Sequence, residues 1–218
     1  MRIETKAILD DLVSRYPGLA ICQNDVEGAF EILARCFASG HKLLVGGNGG
    51  SAADSEHIVG ELMKGFMKSR ALGAEARDAL RNSSPIEAEY LGDRLQGALP
   101  AISLTGSPAL STAFGNDVAS EMIFAQQVFG LGRAGDTLLA ISTSGNSKNL
   151  VHAVRVARAF GLNSVALTGA DGGQLARIAD VAIRVPERIT YRVQELHLPV
   201  YHALCAMLEA EFFLSRQP

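Results

Sequence analysis

The chain has 218 residues, of which 48% are hydrophobic and 20% charged, and its formal net charge is −3 at pH 7. This length is enough for one domain with a full hydrophobic core and is short for a second domain. The mild acidity provides no basic footprint for nucleic acid, and no apolar stretch is long enough to cross a membrane. The composition therefore predicts one globular domain over residues 1–218, with neither nucleic acid nor membrane as a partner.

The cysteines indicate the compartment. Cys22, Cys36 and Cys205 form no Cys-x-x-Cys pair and leave an odd number. This usage fits reduced thiols better than a secreted disulfide framework. The charged N-terminus, Met1–Lys6, also lacks the apolar core of a signal peptide. We therefore expect a cytoplasmic protein.

The first part of the chain predicts helices around one strand. Helical spacing of apolar residues runs from about residue 3 to 39, with a break at Tyr16-Pro17-Gly18 that separates two helices. Lys42–Val45 follows as a short buried strand, and Ala52–Lys68 as a helix. Residues 69–98 mix charges with turn formers and predict an extended excursion outside the sheet, with one short helix within Ile86–Leu95.

The second part of the chain alternates strands with helices. The predicted strands are Ala101–Leu104, Thr137–Ile141, Ser164–Thr168 and Val181–Val185. The predicted helices lie near Pro108–Phe114 and Ser120–Phe129, then at Lys148–Phe160, Gln174–Ala179 and Thr190–Ser215. Apolar strands alternating with helices are typical of a parallel sheet covered on both faces. Together with Lys42–Val45, they predict an α/β fold: a doubly wound, mostly parallel five-stranded sheet flanked by helices.

Two loops of small residues each join a predicted strand to a predicted helix. The first is Gly46-Gly47-Asn48-Gly49-Gly50-Ser51, and the second is Ser142-Thr143-Ser144-Gly145-Asn146-Ser147. Such a loop presents free backbone N–H groups and the positive end of the helix dipole to an anion. A helix cap needs one hydroxyl, whereas the second loop offers four. The excess favours a phosphate-binding loop.

The first loop also has competing interpretations. Gly47-x-Gly49-x-x-Ala52 formally matches a dinucleotide fingerprint, but that motif needs an acidic residue at the end of a second strand about 20 residues on. Here that position falls in Lys64–Lys68, inside the helical pattern. A Walker loop is excluded because no Gly-Lys-Ser/Thr follows. A purely structural turn stays open as an alternative for this loop.

Two helical segments carry candidate catalytic side chains. His57 and Glu61 are four residues apart and share a helix face, which suits a divalent metal or a carboxylate base beside an imidazole. On spacing alone, a solvated ion pair is the commoner explanation. The terminal helix contains Gln194, His197 and His202, and spacing does not decide which histidine is functional. A buried histidine satisfied by a neighbour is the alternative for either.

These motifs together resemble the sugar isomerase (SIS) family, and within it the phosphoheptose isomerases. They are Gly-Asn-Gly-Gly-Ser with a downstream His-x-x-x-Glu, then Ile-Ser-Thr-Ser-Gly-Asn-Ser, Leu-Thr-Gly-x-Asp-Gly-Gly and Val-Gln-Glu-x-His. The resemblance covers residues from about 40 to 212, with a longer segment near 69–98. It implies a SIS, flavodoxin-like fold with added N-terminal and C-terminal helices.

The resemblance also implies roles for single residues. It implies that Glu61 is the general base and His202 the general acid, and that one Zn²⁺ per subunit is held by His57, Glu61, Gln194 and His202. The phosphate-binding positions fall on Ser142, Thr143, Ser144 and Ser147, and the other implied substrate contacts are Asn48, Gly49, Gly50, Ser51, Asn116, Asp117 and Gln194.

The activity that the resemblance implies is aldose–ketose isomerisation of sedoheptulose 7-phosphate to D-glycero-D-manno-heptose 7-phosphate, in a homotetramer with sites near subunit interfaces. Two alternatives remain open. An isomerase of another phosphosugar is favoured by Tyr191, where relatives often have aspartate, and by the long 69–98 segment. A non-catalytic SIS protein that binds a sugar phosphate or a partner, like relatives that associate with the replication initiator, is opposed by the complete set of catalytic and metal-binding residues.

Overall fold

Residues 1–213, which the computed structural model describes, form five strands and ten α-helices. In chain order these elements are α1 (Ile3–Arg15), α2 (Gln23–Ala38), β1 (Leu43–Gly47), α3 (Gly50–Met63), α4 (Ala74–Ser83), α5 (Ala88–Arg94), β2 (Ala101–Ser103), α6 (Pro108–Phe114), α7 (Ile123–Leu131), β3 (Thr137–Ser142), α8 (Lys148–Ala159), β4 (Asn163–Thr168), α9 (Leu175–Ile178), β5 (Val181–Arg184) and α10 (Thr190–Phe212). A 3₁₀ segment, Pro17–Cys22, separates α1 from α2 at the predicted break. The end of the last predicted helix, Leu214 and Ser215, lies outside the described residues.

The five strands form one sheet in the order β2-β1-β3-β4-β5, with every pair parallel. This confirms the predicted α/β fold and its flavodoxin-like arrangement. The strand order reverses between β1 and β3, and in such sheets ligands bind outside the carboxyl ends of the strands at this point. Both small-residue loops leave the sheet here, because one follows β1 and the other follows β3.

The sheet is buried on both faces because successive side chains of a strand point to opposite sides. Leu43 and Val45 of β1 belong to the core shared with α1, α2, α3 and α10. Leu44, between them, belongs to the opposite core, which includes residues of α7 and α8. The N-terminal and C-terminal helices therefore cover one face of the sheet.

The helix after the first loop is shorter than predicted: α3 ends at Met63 rather than Lys68. A buried ion pair stops it. Glu209 of α10 accepts the backbone N–H groups of Phe66, Met67 and Lys68 at 2.7–3.0 Å, so those groups are not used in helical bonds. Arg70 donates to Glu209 at 2.8 Å and to the carbonyls of Leu62 and Glu61 at 2.7 and 2.9 Å, which completes the end of α3.

Residues 69–98 contribute no strand to this sheet. They hold α4 and α5, and a single antiparallel bridge between Ala71 and Gln96 brings the ends of the segment together. Helix α4 buries none of its residues and was not predicted from the sequence. Helix α4 was missed because its sequence is strongly polar and has too few apolar residues to show a helical stripe.

Candidate active site

Both small-residue loops leave open helix N-termini at the switch point. Gly49 precedes α3 and Ser147 precedes α8, and neither makes a side-chain capping bond. The first backbone N–H groups of a helix have no partner within the helix. The N-termini of these two helices, which are 14 and 12 residues long, thus lie at the carboxyl edge of the sheet, where their N–H groups favour an anion.

The loop after β3 is held in a fixed shape by its own polar groups. The Oγ atoms of Ser142 and Ser147 are 2.9 Å apart, and Ser144 Oγ accepts the N–H of Asn146 at 3.2 Å. Gly145 has φ +66°, and a Cβ there would lie 2.0 Å from the carbonyl oxygen of Gly172. Only glycine fits this position. All four predicted phosphate contacts lie in this loop: Ser142, Thr143, Ser144 and Ser147.

The loop after β1 lies between α8 and α10. The exposed Asn48 faces Asn149 in the first turn of α8. Gly50 packs so closely on Gln194 of α10 that a Cβ would lie 2.5 Å from the Gln194 Nε2 atom. Ser51 is buried. The structure therefore brings Asn48, Gly49, Gly50, Ser51 and Gln194 together at the start of α3.

Further along α3, His57 and Glu61 meet His202 of α10. The Nε2 atom of His57 lies 3.2 Å from Glu61 Oε1 and 3.5 Å from His202 Nε2. Glu61 is largely buried, and its second oxygen, Oε2, accepts from Lys64 Nζ at 3.1 Å. A carboxylate and two imidazoles thus converge beside one another. We call His57, Glu61 and His202 the acid–base cluster.

A second row of side chains orients His57. Its Nδ1 lies 3.0 Å from the Tyr201 hydroxyl, which donates to Asp54 Oδ1 at 3.3 Å. Burial, followed by the Asp54 charge, raises the pKa of Tyr201, so the phenol keeps its proton. Because Tyr201 donates its hydroxyl proton to Asp54, the bond between Tyr201 and His57 uses a hydrogen on His57 Nδ1. Its Nε2 then presents a lone pair toward Glu61 and His202 unless His57 gains a second proton.

His202 is held in a partly buried aromatic setting. Its ring packs edge-on against His57 at 4.9 Å between centroids, and Phe66 lies 5.6 Å away. Burial, reinforced by His57 and opposed by Glu61, lowers the pKa of His202. A neutral imidazole at pH 7 both donates and accepts a hydrogen bond. His202 also lines a groove of about 540 Å³ between α1, α10 and Phe66–Met67, so it is reachable from outside.

The acid–base cluster has the donors that a zinc ion takes, two imidazole nitrogens and a carboxylate oxygen. Three such groups facing one another need a proton or a cation between them. A histidine that binds a metal usually donates its other ring N–H to a neighbouring group, and His57 makes such a bond to Tyr201. As the side chains stand, no group of three or more His, Cys, Asp and Glu residues within 1–213 closes around a metal position. Gln194, the fourth predicted ligand, lies against Gly50.

Three other positions named in the sequence lie on the exposed surface. Asn116 and Asp117 follow α6, and Asn116 Nδ2 donates to Asp117 Oδ1 at 2.9 Å. Tyr191 is 56% exposed, and its hydroxyl accepts from Arg192 Nε at 3.2 Å. Their roles in substrate binding stay predictions.

Sequence reasoning missed three residues of this site: Tyr201, Lys64 and Asn149. Tyr201 and Lys64 have a signal in the helical period, and Asn149 has one in its place in the first turn after the serine loop. Tyr201 lies seven residues after Gln194, Lys64 lies three after Glu61, and Asn149 lies two after Ser147 in the first turn of α8. The contacts that reveal them, such as Tyr201 on His57, depend on packing between distant segments.

The described residues include no helix that is both long and apolar enough to traverse a bilayer. Residues 110–210 match the SIS domain family. A phosphoheptose isomerase from Akkermansia muciniphila is 35% identical over 202 residues, with 93% of each chain covered. One from Geotalea daltonii is 41% identical over 192 residues, covering 88% of this chain and 86% of the relative.

The fold agrees with these sequence matches. The structure of a phosphoheptose isomerase from Neisseria gonorrhoeae superimposes with a TM-score of 0.72 at 32% identity, and the match covers 94% of this chain and 96% of that one. Identity at this level over nearly the whole length of both proteins, with the same fold, shows the family to which the chain belongs. The chain belongs to the phosphoheptose isomerase family of SIS-domain proteins.

Proposed function

We propose that this protein is an aldose–ketose isomerase that converts sedoheptulose 7-phosphate to D-glycero-D-manno-heptose 7-phosphate. The relatives at 35% and 41% identity are phosphoheptose isomerases. The observation that carries the proposal within this chain is the largely buried carboxylate of Glu61, 3.2 Å from His57, in a cluster with His202. These are the groups that proton transfer between neighbouring carbons and oxygens requires.

The reaction moves two protons and needs no oxidant or reductant. Glu61 takes the proton from C1 of the ketose, giving an enediol, and returns it to C2. His202 moves a proton between O1 and O2, so that the carbonyl passes from C2 to C1. The neutral imidazole suits this exchange because one ring nitrogen can give its proton to one oxygen and take a proton back from the neighbouring oxygen. The partial burial of Glu61 keeps water away from its carboxylate.

The two small-residue loops bind the other end of the substrate. The uncharged hydroxyls of Ser142, Thr143, Ser144 and Ser147, with the open N-terminus of α8, suit a phosphate dianion. Binding energy from this remote group orients the reacting carbons. Ser144→Ala should therefore raise KM, by about 10-fold or more for a lost bond to a charged group.

The test is turnover of sedoheptulose 7-phosphate by the purified protein beside Glu61→Gln. We expect the variant to lose activity by about 10²–10⁴-fold, the usual contribution of a general base. It should still bind inorganic phosphate as the parent does. Residual activity near that of the parent would remove Glu61 from the role of base. A folded parent that turns over another phosphosugar instead would correct the substrate.

We also propose one Zn²⁺ per subunit, held by His57, Glu61 and His202; the family resemblance adds Gln194 as the fourth ligand, and in this chain that side chain lies against Gly50. When bound, zinc would polarise the substrate carbonyl or order the cluster. Support comes from the His57 Nε2 lone pair that faces Glu61 and His202 and from the Tyr201 bond behind it. Metal analysis of the purified protein should find stoichiometric zinc. Tyr201→Phe should lower zinc affinity by about 10-fold or more, as loss of an outer contact does.

We propose a homotetramer in which each site is shared between subunits. Glu61 is ten residues beyond Ser51 on α3, which places it about 15 Å along the helix from the two loops. The separation of the two halves of the site along α3 leaves room for a phosphate loop from one subunit to meet an acid–base cluster from another, as the family resemblance implies.

Mixing two variants that each damage one half of the site tests shared sites, with activity measured at low substrate concentration. Glu61→Gln damages the cluster and Gly145→Ala damages the loop, so mixed oligomers formed by unfolding and refolding them together should regain activity. Mixing Glu61→Gln with His202→Ala, both in the cluster, is the control and should regain none. Light scattering should give the mass of four chains. No recovery in the first mixture would show that each chain builds its own site.

We propose a cytoplasmic location for this enzyme. Cys22, Cys36 and Cys205 are all free and buried in the structure. Burial raises the pKa of the Cys22 thiol to about 11 and that of Cys205 to about 12, so both resist oxidation. Buried reduced thiols fit a reducing compartment. Cell fractionation with detection of the protein would test this.

A further inference from the structure

Two carboxamides link the loop after β1 to the helix that follows β3. Asn48 Nδ2 donates to Asn149 Oδ1 at 3.0 Å, and Asn149 Nδ2 donates to Asn48 Oδ1 at 2.8 Å. The two residues are 101 positions apart in the chain. Their reciprocal bonds therefore set the spacing between the two loops that enclose the switch point. We call this pair the amide bridge.

The orientation of the bridge is fixed from the Asn149 side. Asn149 Oδ1 also accepts the backbone N–H of Leu150 at 3.0 Å. A backbone N–H can only donate, so the oxygen of Asn149 must occupy this position. The NH₂ group of Asn149 then faces Asn48, and Asn48 accepts its hydrogen bond through Oδ1. The bond to Leu150 thus determines which way both amides point.

Asn48 keeps free groups that a ligand can use. A carboxamide has two N–H donors and an oxygen with two lone pairs, and the bridge uses one of each at Asn48. Asn48 is exposed, and within residues 1–213 its side chain bonds to Asn149 alone. Asn149 is half-buried and has both lone pairs of its oxygen occupied. Asn48 is therefore the member of the pair with groups left for a ligand, and Asn149 sets the direction of its amide.

We infer that Asn149 is a positioning residue, which fixes the face that Asn48 presents to the sugar and aligns the sugar-contacting loop with the phosphate loop. The inference rests on the proposed function, because it takes Asn48 as a substrate contact. A bridge of this kind acts only through Asn48. Removing Asn149 therefore has no further effect once Asn48 is gone.

A double-mutant cycle tests this dependence. Asn149→Ala should lower kcat/KM for sedoheptulose 7-phosphate by about 10-fold in the parent, the size expected for two lost hydrogen bonds, and by less than about 2-fold in Asn48→Ala. The inhibition constant of inorganic phosphate should stay unchanged, since the serine loop keeps its own bonds. Asn163→Ala, at the exposed start of β4, is the control for loss of an amide and should match the parent.

Three results would overturn the inference. An equal loss from Asn149→Ala in both backgrounds would mean that Asn149 acts independently of Asn48. A raised inhibition constant for phosphate would place Asn149 in the phosphate site itself. A fall in the thermal midpoint that tracks the loss of activity would make the role purely structural.

Calorimetric Kd values of sedoheptulose 7-phosphate for the same four proteins distinguish failure of this inference from failure of the proposed function. A parent that binds the sugar without turning it over would refute the isomerase, while non-additive Kd values would still support the bridge. A parent that does not bind it at all would refute both.

Discussion

Glu209→Gln should lower the free energy of unfolding by about 3–5 kcal/mol, the cost of removing one partner from a buried ion pair. The Glu209 and Arg70 side chains are 1% and 0% exposed and lie 2.8 Å apart. Each oxygen of Glu209 also accepts backbone N–H bonds, from Phe66 at one and from Met67 and Lys68 at the other. A glutamine replaces one of these oxygens with an NH₂ group, which opposes two donors, and leaves the Arg70 charge without a carboxylate partner.

Asp93→Asn is the matched control for burial. Asp93 pairs with Arg77 at 2.9 Å, nearly the same distance, but its side chain is 68% exposed. Exposed pairs contribute about 0–1 kcal/mol. Urea unfolding at one protein concentration measures both variants, and with a slope of about 2 kcal/mol per molar urea the Glu209→Gln midpoint should fall by about 1.5–2.5 M. Equal midpoint shifts in the two variants would refute the reasoning from burial.

The stability that Glu209 contributes should also depend on pH. Burial alone would raise the pKa of Glu209, but the N–H groups of Phe66 and Met67 together with Arg70 outweigh it and hold that pKa below its usual value. A lowered pKa in the folded state stabilises the protein above the unfolded pKa of about 4.3, and this contribution is lost as the pH falls through the folded value. The difference in free energy of unfolding between the parent and Glu209→Gln should therefore become smaller below about pH 4.

Two further predictions concern the serine loop and the buried histidine. Gly145→Ala should raise KM at least about 10-fold because its Cβ would meet the Gly172 carbonyl at 2.0 Å, whereas Gly130→Ala, with open space around it, should match the parent in steady-state kinetics. His197 is fully buried, and neither ring nitrogen has a hydrogen-bond partner in the described part of the chain. Burial lowers the pKa of His197 to about 4, although the Thr168 backbone acts in the opposite direction. Folding then favours the neutral ring, so the parent should lose about 2 kcal/mol of stability between pH 7 and pH 5, and urea titrations should show that His197→Leu lacks this loss.

The fold could be predicted because its signals are local. Each strand is a short apolar run bounded by turn formers, and each crossover contains a helical pattern, so the parallel sheet follows from handedness and burial rules. The wrong end of α3 shows where local signals fail. The sequence from Lys64 to Lys68 continues a helical pattern, but Glu209, more than 140 residues away, takes the N–H groups of Phe66 and Met67 at 2.7–2.8 Å. No residue near Lys64 in the sequence indicates that Glu209 will accept these N–H groups.

The site divides in the same way. The loop residues Ser142 to Ser147 could be located from sequence because a strand end, small residues and a helix start are adjacent in the chain. The meeting of His57 with His202 could not, since a helical pattern fixes a face but not its partner. Resemblance to a family supplied that pairing, and it did not supply Tyr201 or Asn149, which hold His57 and Asn48 in place.

The two halves of the site are therefore stabilised by different parts of the molecule. The loops depend on the sheet and on the amide bridge, whereas the acid–base cluster depends on the packing of α3 against α10, which Arg70 and Glu209 secure one to two turns beyond Glu61 and His202. A change in the loops should act mainly on KM and phosphate inhibition, because the cluster keeps its geometry. A change at the Arg70–Glu209 pair should act on stability and kcat together, because the end of α3 and Phe66, which packs on His202, move with it.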